Sequence, residues 1–243
     1  MTEIQRGSFE SLVSRPDTHV VLDLETPGDA LLIVFGGIAG GVSMPVFEFF
    51  RMASTIGARK AFLRDPRRAW YQLGIPGVGD TAGAVRDYLQ AMIARAGAPR
   101  TVMAGASAGG FAALLFGVQC AVDEVIAFSP QTFIDAGNRA RTGDHRWQEQ
   151  IDAMHLALGT AAATLDLRDV LPCAPGSTRF HVHVSTDDEL DLVHAQHIAD
   201  RGGVAIVEHD RGGHRLVKTL RDRGVLRPLL LEALAGHHAN DAL

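Results

Sequence analysis

Short apolar runs alternate with segments of helical periodicity along most of the chain. Val20-Val21-Leu22 reads as an early strand and Ala30–Phe35 (ALLIVF) as a fully buried one. Gly36-Gly37-Ile38-Ala39-Gly40-Gly41 interrupts the apolar pattern and must be a loop. After it, Ser43 and Pro45 suit the start of a helix that turns Phe47, Phe50 and Ile56 inward. Lys60–Leu63 is a further strand. From Thr81 to Ala96, Val85, Leu89, Met92 and Ile93 recur at helical spacing, and Gly97 and Pro99 end the run. Then come a strand at Thr101–Ala104, a helix at Phe111–Val118 and a strand at Val125–Phe128 that stops at Ser129-Pro130. Residues 131–172 break the alternation with a polar stretch, Asn138–Glu149, followed by a helical Ile151–Leu158. The pattern resumes with a strand at Phe180–Val184, a helix near Leu190–Ala199, a strand at Val204–Val207 and a terminal helix near Leu226–Ala235.

Continuous apolar strands separated by helices predict an α/β fold: a mostly parallel central sheet with helices on both faces. The 243 residues suit a single domain spanning 1–243, within which 131–172, inserted between core strands, is a candidate helical cap. A net charge of −5 with acids and bases interspersed leaves no basic stripe, so nucleic acid is not an expected partner. The N-terminal residues lack the apolar run of a signal peptide, and no apolar run approaches a membrane span. A cytoplasmic location is therefore expected, with Cys120 and Cys173 as reduced, buried thiols.

The chemistry gathers at Gly105-Ala106-Ser107-Ala108-Gly109-Gly110. An apolar strand runs directly into this glycine-rich turn and a helical pattern follows at once. That context suits a nucleophile elbow, where a strained turn brings the flanking residues so close that only small side chains fit. The helix that starts behind Ser107 aims its amide end at the site, which favours a developing oxyanion.

With these residues the chain resembles the α/β-hydrolase superfamily, from the strand at Ala30 to the last helix. The elbow, the glycine loop after an early strand and the chain order Ser, Asp, His carry the resemblance. It implies that Ser107 is the nucleophile and that His214, in the loop Arg211-Gly212-Gly213-His214 after the last strand, is the general base, with His209 as its rival. The acid should lie just beyond Phe180–Val184, where Ser185-Thr186-Asp187-Asp188-Glu189-Leu190-Asp191 offers several carboxylates. Family spacing favours Asp188, with Asp191 as the alternative acid and Asp187 third. The resemblance also implies an oxyanion hole built from the Ala108 amide and that of Gly37 or Ile38. Phe35-Gly36 stands where the family commonly has His-Gly, so which amide points inward stays open. Arg64-Asp65, Trp70-Tyr71 and Phe128-Ser129-Pro130-Gln131 resemble bacterial hydrolases as well, but that likeness assigns them no role.

Other signals are weaker. His181-x-His183 shares one strand face, and Asp191, His194 and His197 share a helix face, but no third ligand at matching spacing makes either a metal site. The glycines of Gly36–Gly41 lack the Lys-Ser/Thr of a phosphate loop. Arg64, Asp65, Arg67, Arg68 and Trp70 read as a solvated charge cluster more readily than as a substrate edge. The expected activity is cleavage of an ester or thioester in a small-molecule acyl substrate, through an acyl-enzyme and without a cofactor or metal. The alternatives are an acyltransferase in a biosynthetic pathway and a non-catalytic hydrolase-fold binding protein.

Overall fold

The computed structural model describes residues 15, 18–38, 52, 53 and 55–236. Seven strands form one sheet: β1 (Val20–Asp23), β2 (Ala30–Phe35), β3 (Arg59–Leu63), β4 (Arg100–Ala106), β5 (Glu124–Phe128), β6 (Arg179–Ser185) and β7 (Val204–His209). Their spatial order is β1-β3-β2-β4-β5-β6-β7, and every pairing is parallel except that of β1 with β3. The α/β expectation holds, with one antiparallel strand added at the edge. The chain winds one way from β2 to β3 and the other way from β4 to β7. The crevice at the carboxyl ends of β2 and β4 is therefore the topological switch point, where open α/β sheets bind ligands.

The apolar runs lack polar alternation because both faces of the sheet are covered. In β2, Leu31, Ile33 and Phe35 face one core, shared with helices α1 (Ala82–Ala96) and α2 (Ala108–Gln119). Leu32 and Val34 face the other, shared with α6 (Leu216–Asp222) and α7 (Leu226–Ala235). α1 begins where the Thr81 hydroxyl accepts the Ala84 amide and ends at left-handed Gly97 (φ 58°), whose own amide reaches the Ile93 carbonyl. α2 is buried from Ala108 to Gly117, which suits its unbroken small and apolar composition.

Between β5 and β6 lie α3 (Ala136–Thr142) and α4 (Gln148–Leu158), and α5 (Glu189–Ile198) follows β6. α3 and α6 go beyond the elements read from the sequence. Each has only seven residues, too few for an apolar stripe to stand out. α3 owes its start to Asp135, which accepts the Asn138 amide. The expected helix after Ser43, with Pro45, Phe47 and Phe50, lies outside the described residues, although Ile56 is buried. Both cysteines are free, but neither is fully buried: Cys120 is half-buried at the end of α2 and Cys173 is exposed in the loop before β6. Burial raises the Cys120 thiol to about 11. No helix among the described residues is long and apolar enough to cross a membrane.

Candidate active site

β4 ends at Ala106, α2 begins at Ala108, and Ser107 between them has φ 56° and ψ −123°. Such a conformation costs a non-glycine residue about 1–3 kcal/mol and persists only where the surroundings enforce it. Here the Ser107 amide donates to the Phe128 carbonyl at 2.9 Å, and the Ser107 carbonyl accepts the Phe111 amide at 3.0 Å. The flanking glycines are a steric requirement. A Cβ on Gly105 would fall on the Gly109 carbonyl, and one on Gly109 would fall on the Phe35 carbonyl. Although Ser107 stands at the helix N-cap, its hydroxyl makes no capping bond. It points instead at His214, 3.0 Å from Nε2.

The three candidate carboxylates have three different partners. Asp191 Oδ1 and Oδ2 lie 2.9 and 3.0 Å from His214 Nδ1. Asp188 instead caps α5, accepting the Asp191 amide at 3.0 Å. Of the two acids favoured from the sequence, Asp191, the alternative, is thus the one hydrogen-bonded to the imidazole, and Asp188 is not: the residue that caps a helix points along its axis, whereas one in the first turn projects sideways toward the β7 loop. Asp187 accepts the Gly213 amide at 2.8 Å and the Gly212 amide at 3.3 Å, and so ties down the loop that carries His214. His209, the rival base, pairs with His183 instead, Nε2 to Nδ1 at 3.1 Å.

Residues between α3 and α4 reach the same place. Arg146 Nη1 donates to Asp191 Oδ1 at 2.7 Å, and its guanidinium also pairs with Asp144, which is 1% exposed. The Trp147 ring stands 5.0 Å from the His214 ring. Asp144 Oδ2 is 2.9 Å from His194 Nε2, while His194 Nδ1 accepts the Thr132 amide at 3.0 Å. That amide fixes the tautomer, so Nε2 carries the proton and donates to Asp144. Burial alone would raise both carboxyls. For Asp144 the hydrogen bonds from His194 and Arg146 outweigh it, and for Asp191 those from His214 and Arg146 do so; both end below the usual carboxylate range. Burial lowers His194, against the pull of Asp144. Asp188, Asp191 and His214 present ligand-type atoms within 4.8 Å of one another. Arg146 Nη1 is 2.7 Å from Asp191 and 3.8 Å from Asp188, so a protein cation already stands against these carboxylates.

A scan against models of known protein families and a search of curated protein sequences both find no match. Solved structures do match. One from the metagenome-derived lipolytic enzymes LipS and LipT is 12% identical with a TM-score of 0.58, over 91% of this chain and 99% of that chain. Est1E from Butyrivibrio proteoclasticus is 15% identical with a TM-score of 0.54, over 89% and 93%. The capsule O-acetyltransferase of Neisseria meningitidis serogroup A is 13% identical with a TM-score of 0.53, over 84% and 88%. The chain has the α/β-hydrolase fold.

Within the α/β-hydrolase fold, Gly36 to Ile38 follow β2 at the switch point. Gly36 is tied at both ends: its amide donates to the Leu63 carbonyl and its carbonyl accepts the Tyr71 hydroxyl. Gly37 lies against the elbow, where an added Cβ would stand 3.0 Å from the Ala106 carbonyl and 3.8 Å from Ser107 Cβ. The paired histidine signals separate. His197 faces Asp166, His194 faces Asp144, and His181 lies 3.5 Å from Glu124. Phe133, Ile151 and Met154, in the segment between β5 and β6, are buried, with Phe133 against the His194 and His197 rings. Sequence reasoning missed Arg146 and also Gln131, a 1% exposed residue whose carboxamide is 3.2 Å from Ser107 Oγ. Arg146 belongs to no periodic pattern or spaced motif, and Gln131 closes the run Phe128-Ser129-Pro130-Gln131, which by itself assigns no role. Only long-range folding brings them to the site.

Proposed function

We propose that the protein is a serine hydrolase that cleaves an ester or thioester of a small acyl substrate through an acyl-enzyme. One observation carries this reading: the unbroken line from Ser107 Oγ to His214 Nε2 (3.0 Å) and from His214 Nδ1 to Asp191 (2.9 Å). Asp191 holds the Nδ1–H tautomer, which leaves Nε2 bare to accept the Ser107 proton. As that proton leaves, Oγ bonds to the substrate carbonyl carbon and the carbonyl π pair moves onto oxygen. The Ala108 amide, with one from Gly37 or Ile38, suits this oxyanion. Ala108 heads α2, and Gly36 is already engaged. His214 then gives its proton to the departing alkoxide or thiolate. Water, activated by the same imidazole, releases the acid and restores Ser107.

Residues 131–172 act in this reading as a cap over the mouth of the single domain. Arg146 and Trp147, both at His214, support that role. The test is Ser107→Ala, assayed with a panel of ester and thioester chain lengths and with a fluorophosphonate probe. The expected loss in kcat is on the order of 10³–10⁶ with the melting temperature retained, and the probe should label the wild type alone. Wild-type turnover in Ser107→Ala would overturn the proposal.

A further inference from the structure

We infer that Gln131 is a further catalytic residue, donating a hydrogen bond to the nucleophile oxygen, and that Trp70 sets the orientation in which it does so. The inference rests on the reading of Ser107 as the nucleophile. A serine hydroxyl has one proton and two lone pairs. His214 Nε2 receives the proton. Gln131 Nε2 lies 3.2 Å from Oγ and donates to one lone pair, which leaves the other free to attack.

Both polar atoms of the Gln131 carboxamide are 3.2 Å from Oγ, so distance alone does not choose between them. Trp70 decides. Its indole nitrogen can only donate, and it stands 3.1 Å from Gln131 Oε1. Oε1 is thereby assigned to the indole and the amide hydrogens to Ser107. Oε1 is also 3.2 Å from Oγ, but His214 Nε2 is nearer at 3.0 Å and takes the Ser107 proton.

The loop that presents Trp70 is built at a cost that ordinary packing does not require. Arg68, Trp70 and Tyr71 have φ of 54°, 49° and 63°, a region that bulky side chains rarely adopt. Asp65 holds this turn by accepting the amides of Arg67 (2.9 Å), Ala69 (2.7 Å) and Tyr71 (2.9 Å). The buried Tyr71 hydroxyl then fastens it to the Gly36 and Leu63 carbonyls, beside the oxyanion loop. On the other side of Gln131, Thr132 is bound through its amide and hydroxyl to His194. The residues after β3 and those after β5 therefore meet over Ser107, and the apparent charge cluster at Arg64–Trp70 is the support for one side chain.

During acylation, Oγ carries alkoxide-like charge in the transition state as its proton leaves, and it is then an ether-type oxygen in the tetrahedral adduct and an ester oxygen in the acyl-enzyme. The Gln131 N–H stabilises that transition-state charge more than it does the neutral hydroxyl of the resting enzyme. The effect should therefore fall on kcat rather than on KM.

The experiment compares the wild type with Gln131→Ala, the nearly isosteric Gln131→Glu, and Trp70→Phe. It measures melting temperature, fluorophosphonate labelling rate, and kcat and KM across pH. Gln131→Ala should label and turn over about 10- to 100-fold more slowly at unchanged KM. In Gln131→Glu the ionised carboxylate accepts the Ser107 proton, so its pH–rate profile should fall as that carboxyl ionises, a limb the wild type has no group at position 131 to give. Trp70→Phe keeps an aromatic ring but removes the donor that engages Oε1, leaving that oxygen free to take the Ser107 proton, and should lie between wild type and Gln131→Ala. Folded Gln131 variants with wild-type rates and pH profiles would overturn the inference, because a purely structural glutamine would move only the melting temperature. A wild type that the probe does not label at Ser107 would instead remove the underlying reading of the site.

Discussion

Asp187, Asp188 and Asp191 lie within five residues, yet they bind loop amides, a helix cap and an imidazole respectively. Substitution by asparagine should separate these jobs. Asp191→Asn replaces the acceptor for His214 Nδ1–H with a group that can present N–H there, favouring the wrong tautomer. A loss in kcat on the order of 10²–10⁴ is expected. Asp188→Asn keeps a good N-cap and should change kcat little. Asp187→Asn weakens the anchoring of the Gly212-Gly213 turn and should fall between the two. Parallel kcat measurements on the three variants check the order, and an Asp188→Asn enzyme more damaged than Asp191→Asn would reverse the assignment. The elbow glycines make a separate point at this scale. Gly105→Ala sets a methyl against the Gly109 backbone, which cannot move without breaking the turn, so a loss on the order of 3 kcal/mol in urea unfolding is expected.

Among the elements, the connection between α3 and α4 stands out because it inserts a cation between two buried acids. Asp144 and Asp191 are 1% and 0% exposed, and Arg146 binds both. Arg146→Met leaves those carboxylates without their cation, and a destabilisation of about 3 kcal/mol is expected by denaturant titration. The pH dependence has a definite sign. Both carboxyls are lowered in the fold, so their contribution is present above about 3.9, the unfolded value, and is lost as pH falls through the lower folded values. Arg146→Met raises the folded values toward the unfolded one, so its stability should depend less on pH in that acid range. Trp147 supplies the optical readout of the cap. Its ring is 5.0 Å from that of His214, so acylation of Ser107 should shift tryptophan emission in the wild type. Trp70, the other tryptophan, also reaches Ser107 through Gln131, so the shift is read in Trp70→Phe, where Trp147 emits alone; an emission there that acylation leaves unchanged would separate Trp147 from the acyl site.

At the scale of the whole molecule, acid sensitivity begins well above the carboxyl range. His183 lies between Phe128 and His209, and burial, with His209 and His181 nearby, lowers its imidazole to about 3. The unfolded chain takes up this proton near pH 6.5 while the folded chain does not, so stability should decline as pH falls from about 6.5 toward 3. Burial lowers His194 and His209 as well, which steepens the same slope. Melting temperatures at successive pH values should show a shallower slope for His183→Gln, and an unchanged slope would exclude His183 as a source. The strands were legible in the sequence because burial on both faces leaves continuous apolar runs, a local signal carried by consecutive residues. The elbow was legible for a similar reason, since its steric demand falls on Gly105 and Gly109, only two residues from Ser107. The sequence by itself thus determined the α/β alternation and the position of the strained serine between β4 and α2. Tertiary structure alone decided which carboxylate meets His214, because Asp188 and Asp191 differ only in direction around the first turn of α5. It alone brought Arg146, Gln131 and Trp70 together, through contacts 45 and 61 residues apart in the chain. Such meetings follow from the order of strands in the sheet, and strand order is a property of the packed molecule that no local run of residues encodes.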